Sequence, residues 1–249
     1  MTRNYNDEAR NHPEHQYAYQ FDYLMHEYML RTFEPYLVAG KTLELGCFEG
    51  NFTRLLAQRF DHVEVVDASS DCIASAARNA GERVSFHHSR FEDFAPASSY
   101  DNIFLIHTLE HLDDPVSTLK RILQWLSPGG RLFVATPNAH AASRQIAVGM
   151  GLITHASAVT AAEAAHGHRI TYSLDTLRAA LREAQASPVA QGGVMFKGLA
   201  NFQIDAALAS GLISREYLDG CHQLGQVYPD LCASIYFVCE KPERAGAAT

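Results

Sequence analysis

The sequence predicts an α/β fold in which a mostly parallel sheet is covered by helices. Short apolar runs alternate with amphipathic helical patterns from about residue 42 to residue 136. The run Thr42–Leu45 breaks on Gly46 and Gly50 and continues as a helical pattern, which indicates a strand-to-helix turn. Tyr100–Ile106 is almost continuously apolar, as in parallel strands that are buried on both faces.

Length, charge and cysteine content narrow the class of protein. A chain of 249 residues can bury a full core as one domain. The formal net charge of −8 excludes a generally basic surface, so we expect no nucleic-acid or membrane partner but a small molecule. No signal core or membrane span is visible, and the sequence carries no signature of an oligomeric state. Scattered cysteines without a C-x-x-C pair favour a reducing compartment, and we predict a cytoplasmic protein.

The sequence predicts two regions. Residues 1–35 form a tail followed by a helical lid, and residues 36–249 form the main domain. Residues 1–16 are polar and predict a flexible tail. Tyr17–Phe33 is dense in aromatic residues and methionine, which favours a helix packed on the core, a lid over a ligand cleft, or both.

Asp67 ends the second predicted strand, Val63–Val66, and lies 21 residues after Gly46. In a βαβ unit this spacing places a carboxylate beside the first turn, where it can accept hydrogen bonds from a ribose diol. Alternatively Asp67 caps the next helix, although Ser69 or Ser70 could do so.

The remaining elements continue the alternation. His107 follows the fourth strand, so the ligand crevice is expected at the carboxyl ends of the strands that lead to Gly46 and His107. Asp114 and Pro115 begin a helix. The region from about 140 to 168 is an Ala-rich helical insertion that could roof the site. The other predicted strands are Val84–His87, Arg131–Thr136, Val189–Phe196 and Ala233–Cys239. Helices are predicted after the second strand up to about Asn79, over Ser173–Glu183 and over Asn201–Leu224. Residues 244–249 are predicted to be disordered.

Four blocks in this order resemble the class I S-adenosylmethionine-dependent methyltransferases. They are the glycine-rich turn Glu44–Gly50, the acidic strand end at Asp67, the segment from Tyr100 through Leu109-Glu110-His111 to Pro115, and the turn Ser127–Gly130. The resemblance implies a Rossmann-like, seven-stranded sheet whose last strand runs antiparallel beside the fifth.

The resemblance also implies a cofactor site for S-adenosylmethionine, with S-adenosylhomocysteine as the product. Gly46 would contact the methionyl part, Asp67 the ribose, and Phe91 with Glu92 the adenine. Phe48 departs from the family, which usually has glycine there, and could place an aromatic ring against the methionyl end. The full set of implied cofactor residues is Glu44, Gly46, Cys47, Phe48, Gly50, Asp67, Ala68, Phe91, Glu92 and His107.

A dinucleotide is the less favourable ligand for this turn. A dinucleotide fingerprint needs a third glycine and a helix N-terminus open to pyrophosphate, whereas Glu49 at that place would repel phosphate. A sulfonium is positive, so Glu44 is compatible with it.

Histidines are the candidate bases for methyl transfer to a hydroxyl, because the pKa of a histidine lies near neutral pH. His168 is the first choice and His107 should lie near the sulfonium, whereas His87, His88 and His111 are interpreted as structural. Candidate acceptor-binding residues are Tyr17, Tyr23, His26, Arg144, His166 and Arg169. Arg144 and Arg169 could recognise a carboxylate or phosphate, and either could equally be an ordinary surface arginine.

No metal is expected, and activity should resist a chelator. The alternative is a divalent ion held by His107, Glu110 and His111 together with His166, or with His168 in its place, which resembles the Glu-x-x-Glu-His site of metal-assisted methyltransferases. The sequence thus predicts a methyltransferase that acts on oxygen of a small acceptor, which could be anionic. N- or C-methylation, or a silent regulatory domain that binds the cofactor, are the alternatives.

Overall fold

A seven-stranded sheet forms the centre of the computed structural model, which describes residues 3–9 and 18–241. The strands are β1 (Thr42–Leu45), β2 (Val63–Asp67), β3 (Val84–His88), β4 (Tyr100–Ile106), β5 (Leu126–Pro137), β6 (Ser187–Phe196) and β7 (Cys232–Glu240). Their order is β3-β2-β1-β4-β5-β7-β6. Strands β1 to β5 pair in parallel, and β7 lies antiparallel between β5 and β6. The predicted sheet, with its last strand antiparallel beside the fifth, is confirmed.

Ten α-helices connect and cover the strands in the described part of the chain. The long helical stretch predicted over residues 201–224 is instead two helices, because Gly211 adopts a left-handed φ of 72° between them. The helices are α1 (Tyr5–Glu8), α2 (Gln20–Phe33), α3 (Asn51–Arg59), α4 (Ser70–Ala80), α5 (Pro115–Gln124), α6 (Ala142–Gly149), α7 (Ala161–Ala165), α8 (Leu174–Glu183), α9 (Asn201–Ala209) and α10 (Arg215–Val227).

The two faces of the sheet bury separate apolar clusters. Along β4, Ile103 and Leu105 belong to one cluster and Phe104 and Ile106 to the other, which is the alternation that a strand imposes. Helices α5 and α8 cover the first cluster, whereas α2, α3 and α10 cover the second. The crevice lies between β1 and β4, where the chain winds in opposite directions from the middle of the sheet.

Helix α2 contributes both to the core and to the crevice. Near its C-terminus Phe33 is fully buried, with its ring 5.2 Å from Phe133 and 6.4 Å from Phe104 between centroids. Near its N-terminus Asp22 and His26 line the main cavity. The helix is therefore anchored in the core at one end and exposes polar groups to a ligand space at the other. Whether it opens as a lid stays a prediction.

The N-terminal segment differs from the predicted flexible tail over residues 3–9. Here α1 lies against α4, because the Asn6 side chain accepts a hydrogen bond from Ser69 Oγ at 2.7 Å and donates one to Ser70 Oγ at 3.2 Å. Arg3 pairs with Glu8 at 2.8 Å. The rest of the predicted tail, Tyr17 and residues 244–249 lie outside the described residues.

None of the described helices combines the length and apolar character needed to cross a membrane. All five cysteines are free thiols, and only Cys221 is not buried.

Candidate functional site

A cavity of about 570 Å³ opens at the carboxyl edge of the sheet. Its floor comes from residues that follow β1, β4, β5 and β6 and from the start of β7. Helix α2 forms one wall, and the insertion that contains α6 and α7 forms another, as the sequence predicts for a roof. Parallel strands all deliver their carboxyl ends to this edge, which is why residues distant in sequence meet here.

The turn after β1 needs glycine at two positions, for different neighbours. Gly46 has a φ of 85°, and a Cβ there would lie 2.6 Å from Thr108 Oγ1, so only glycine fits between β1 and the end of β4. Gly50 has a φ of 82° and forms the N-cap of α3. A Cβ on Gly50 would lie 2.6 Å from Ala76 Cα, so its close approach is to α4, and it does not line the cavity.

Phe48, between Gly46 and Gly50, is also left-handed. Its φ is 45°, which is unfavourable for any residue with a Cβ, and this explains why glycine is the usual residue there in the family that the sequence resembles. Its half-buried ring lines the cavity and packs against the α2 and α3 cluster. The turn therefore keeps the backbone path of a glycine-rich loop at the cost of strain.

Replacement of Phe48 by glycine and by alanine should separate the ring from the backbone strain. Both variants lose the ring. In the left-handed conformation of this turn alanine is strained and glycine is not, so Phe48→Gly should be more stable than Phe48→Ala by about 1 kcal/mol. Urea denaturation of the two variants measures this difference. Equal stability, or a more stable alanine variant, would show that the turn relaxes out of the left-handed region.

Glu44 is a buried carboxyl at the end of β1 that lines the cavity. It is 2% exposed, and its Oε2 atom makes no hydrogen bond to any described residue. Burial raises the pKa of Glu44 to about 8, and the nearby Asp67 carboxylate also raises it. An orphaned carboxyl oxygen beside a glycine turn is suited to accept hydrogen bonds from an ammonium group of a ligand.

The raised pKa of Glu44 makes stability depend on pH in the ligand-free protein. An unfolded glutamate has a pKa of 4.5, so between about pH 5 and pH 8 the folded state holds the extra proton and stability falls as the pH rises. Glu44→Gln cannot ionise and should be more stable than wild type at pH 8, by on the order of a few kcal/mol, with the difference shrinking toward pH 5. Urea denaturation at both pH values, with exposed Glu82→Gln as control, tests this. A wild-type pH dependence in Glu44→Gln would refute the assignment.

Asp67 fixes the loops that surround the crevice. Its carboxylate accepts hydrogen bonds from the backbone N–H of Cys47 at 2.8 Å and of Ser69 at 2.7 Å. Ser69 in turn caps α4, since its Oγ accepts from Cys72 N at 3.1 Å, so Asp67 is not the cap. Asp67 thus joins the β1 turn to the β2 turn. Its contact with a ribose stays a prediction.

The predicted adenine residues follow β3, beyond the walls of the main cavity. Phe91 is buried among apolar side chains that include Phe94, and Glu92 is exposed. Ala68 accepts a hydrogen bond from His88 Nε2 at 3.1 Å, and His87 contacts Glu64 at 2.9 Å. The structural interpretation of His87 and His88 agrees with these contacts, whereas the adenine roles stay predictions.

His107 projects into the middle of the cavity floor. It has a left-handed φ of 47°, and its Nε2 lies 2.8 Å from Ser234 Oγ at the start of β7. Burial lowers the pKa of His107 to about 3 and that of His26, on α2, to about 4. His26 Nδ1 lies 3.0 Å from the Asn51 amide nitrogen. Both rings are therefore neutral at pH 7.

His168 lies in the loop after α7 and lines the same cavity. Its ring stands edge-on to His111 with centroids 4.5 Å apart, and a nitrogen from each ring lies within 4.8 Å of a Glu110 carboxylate oxygen. Neither Glu110 oxygen makes a hydrogen bond to another residue of the described chain, and burial raises the pKa of Glu110 to about 8. Of the sequence-derived ligand set, this group keeps Glu110 and His111 and takes His168 rather than His166 as the histidine from the second loop, whereas His107 is left out.

The two arginines predicted as anion ligands are held by other partners. Arg144 lines the cavity, but its guanidinium binds Glu163 at 2.6 Å and the carbonyl oxygens of Ala156 and Ala158. Arg169 is not brought to the cavity and pairs at the surface with Asp113 at 3.1 Å. Both side chains therefore make structural contacts, and their contact with an acceptor stays a prediction.

Two of the other residues predicted to bind the methyl acceptor, Tyr23 and His166, line the cavity. Tyr23 lines the cavity and donates a hydrogen bond to Glu49 at 2.5 Å. His166 also lines it, and its Nδ1 lies 3.4 Å from the backbone oxygen of Glu8. Tyr17 is outside the described residues.

Ser234 and Lys197 are among the cavity residues that the sequence interpretation did not single out. Ser234 lies near the start of β7, and Lys197 directly follows β6, so both stand at the same edge of the sheet as His107. The rule that ligands lie at strand carboxyl ends could have found Lys197, but the glycines within β6 weakened the strand pattern. Ser234 could not be found this way, because β7 runs in the opposite direction.

The chain is similar to known methyltransferases. The methyltransferase domain family matches residues 16–191. The ubiquinone biosynthesis O-methyltransferase of Aromatoleum aromaticum is 34% identical over 107 residues, which are 41% of this chain and 46% of that protein. The trans-aconitate 2-methyltransferase of an Azoarcus species is 35% identical over 101 residues, 40% of each chain.

The fold similarity extends further along the chain than the sequence similarity. The crystal structure of the N-methyltransferase NodS from Bradyrhizobium japonicum WM9, in complex with S-adenosyl-L-homocysteine, matches with a TM-score of 0.58 and 18% identity over 95% of each chain. The sequence alignments to the curated relatives span about half of those proteins or less. The sheet order, the glycine turn and the family match together show that the chain belongs to the methyltransferase domain family, with the fold of the class I S-adenosylmethionine-dependent enzymes.

Proposed function

We propose that the chain is an S-adenosylmethionine-dependent methyltransferase that methylates an oxygen of a small-molecule acceptor. The observation that carries the proposal is the cavity itself, which joins the glycine turn at Gly46 and the orphaned carboxyl of Glu44 to the histidines that follow β4. Relatives named for O-methylation support oxygen as the target atom. Because relatives named for different acceptors match this chain, similarity alone does not identify the acceptor.

The residues of the turn fit the cofactor. The Glu44 carboxyl could accept from the ammonium group of the methionyl part, and the left-handed backbone at Gly46 leaves room for close approach. Asp67 accepts a hydrogen bond from the β1 turn with one carboxylate oxygen and from the β2 turn with the other, and it is the candidate acceptor for the ribose hydroxyls. When bound, S-adenosylmethionine supplies an electrophilic methyl group on a sulfonium.

We assign the base to His168 rather than His107. A general base acts best when its pKa is near the working pH, and a pKa of about 3 makes the His107 imidazole a weak base. Burial also lowers the pKa of His168, but Glu163 opposes that effect. His168 would take the proton of the acceptor hydroxyl as its oxygen bonds the methyl carbon, whose bond to sulfur breaks so that S-adenosylhomocysteine leaves. His107, held by Ser234, would orient the acceptor as a neutral group.

Methyl transfer to a panel of phenols, catechols, carboxylic acids and amines, with S-adenosylmethionine labelled in its methyl group, tests the proposal. We expect O-methylated products identified by mass spectrometry, and we expect His168→Ala to lower kcat while S-adenosylhomocysteine binding is kept. Methylation of nitrogen or carbon would refute the choice of oxygen. Binding of cofactor without transfer to any acceptor would favour a regulatory domain instead.

The Glu110, His111 and His168 cluster favours a second candidate, a metal-assisted transfer. In that reaction a divalent ion would bind the acceptor oxygens and His168 would be a ligand rather than a base. We expect turnover to survive EDTA treatment and the purified protein to bind no stoichiometric zinc or magnesium. Loss of turnover with EDTA and recovery with one divalent ion would establish the second candidate.

A further inference from the structure

The cavity has a second polar end, remote from the glycine turn. In sheet order, β6 lies three strands beyond β4, so residues after β6 face the side of the cavity away from Gly46. Lys197, the residue after β6, lines the cavity and is only 7% exposed. Its neighbours along the wall are Asp22 on α2 and Asn201 at the start of α9.

The ammonium group of Lys197 has few partners for a buried charge. Its Nζ donates to the backbone oxygen of Leu199 at 2.8 Å and lies 5.6 Å from the centre of the Phe21 ring. No carboxylate in the described part of the chain lies within 4.0 Å of it. An ammonium has three N–H donors, so this one retains hydrogen-bonding capacity toward the cavity.

The negative charge of Asp22 acts on Lys197 by Coulomb attraction, without an ion-pair contact between the two side chains. One of its carboxylate oxygens accepts from Tyr19 N at 2.8 Å and the other from the Asn201 amide at 2.6 Å. Burial lowers the pKa of Lys197 to about 8, and the charge of Asp22 opposes that change. The side chain is therefore mostly protonated at neutral pH, so a cation faces the cavity.

The start of α9 adds to the positive potential at this end. Ala200 is the N-cap of the helix, and both Ala200 and Asn201 line the cavity. The first N–H groups of an α-helix have no partner within the helix, and they favour a nearby anion. The arginine of the cavity, Arg144, is already neutralised by Glu163, so Lys197 is the cation available to a ligand among the described cavity residues.

We propose that Lys197, together with the first turn of α9, forms a subsite for a carboxylate or phosphate group of the methyl acceptor. This inference rests on the proposed function, because it names the class of acceptor for the same cavity. The acceptor binds with its anionic end at β6 and its nucleophilic oxygen toward His107 and His168. An anion at this place offsets the desolvation of the buried ammonium, which a neutral acceptor cannot do.

Carbon-13 NMR of the lysine side chains provides the test, because the chain has only four lysines, at positions 41, 120, 197 and 241. Benzoate, its uncharged isostere benzamide, and inorganic phosphate are titrated into protein saturated with S-adenosylhomocysteine. We expect benzoate or phosphate to shift the Lys197 signal saturably, with a millimolar Kd, and benzamide to leave it unchanged. Tighter binding of phosphate than of benzoate assigns the subsite to a phosphate group, and the reverse order assigns it to a carboxylate.

Two variants separate the subsite from general charge effects. Lys197→Met should weaken benzoate and phosphate binding about tenfold or more, whereas Lys120→Met, which removes an exposed lysine of α5, should bind as wild type does. Equal binding of benzoate and benzamide, no shift of Lys197 with either anion, or unchanged affinity in Lys197→Met would overturn the inference. If Lys197→Met does not fold, the wild-type titration decides alone. Failure to bind S-adenosylhomocysteine would overturn the proposed function instead, and the anion titration can still be read in the ligand-free protein.

Discussion

Phe33→Ala is expected to lower the free energy of unfolding by about 3 to 5 kcal/mol. The Phe33 ring is fully buried where α2 crosses the sheet, and it contacts the rings of Phe104, Phe133 and Tyr236. Phe104 and Phe133 are themselves stacked with centroids 4.5 Å apart, so they leave little freedom to fill the cavity that the substitution creates. Urea denaturation measures the loss.

Phe202→Ala is the matched control for this variant. Its ring is 55% exposed on α9, so the same truncation should change stability by no more than about 0.5 kcal/mol. A loss below about 1 kcal/mol in Phe33→Ala would contradict the role of α2 as an element anchored in the core. It would instead favour a helix that detaches readily from the domain.

Gly46→Ala should weaken the binding of S-adenosylhomocysteine at least tenfold and destabilise the fold by about 2 to 3 kcal/mol. Alanine at a φ of 85° is strained, and its Cβ would lie 2.6 Å from Thr108 Oγ1. Relief of this contact must move either the β1 turn or the end of β4, and both line the cavity. Calorimetric titration and urea denaturation measure the two effects.

Gly129→Ala isolates the conformational part of this effect. Gly129 has a similar φ of 78°, but a Cβ there meets nothing within 4 Å, and the residue lies outside the cavity. The control should lose about 1 kcal/mol of stability and keep full affinity for the cofactor product. If both variants bound S-adenosylhomocysteine like wild type, the glycine turn would not belong to the cofactor site.

The order of strands and helices could be predicted because apolar periodicity is a local property. The boundaries of β4 and the cap of α5 at Asp114 agree with the prediction, since a continuous apolar run and an Asp-Pro start are unambiguous signals. The break between α9 and α10 was missed, because one glycine in an apolar stretch does not show whether the helix continues. The docking of α1 was missed because it depends on Asn6 meeting Ser69 and Ser70, which are distant in sequence.

The position of a site residue could be predicted where that residue directly follows a strand. The hydrogen bonds and ion pairs of the site side chains could not be predicted. The sheet-edge rule brought Gly46 and His107 to one cavity. It could not show that Arg144 is neutralised by Glu163, or decide between His166 and His168 as the histidine beside Glu110, because both depend on how the insertion folds back. Lys197 emerged only when the partners of each buried charge were known.

Isothermal titration of the protein with S-adenosylhomocysteine tests the central claim most directly. We predict one binding site per chain, with an affinity that falls at least tenfold in Asp67→Ala, because that carboxylate joins the β1 and β2 turns beside the crevice. The absence of binding to the wild-type protein, for both S-adenosylhomocysteine and S-adenosylmethionine, would contradict the account.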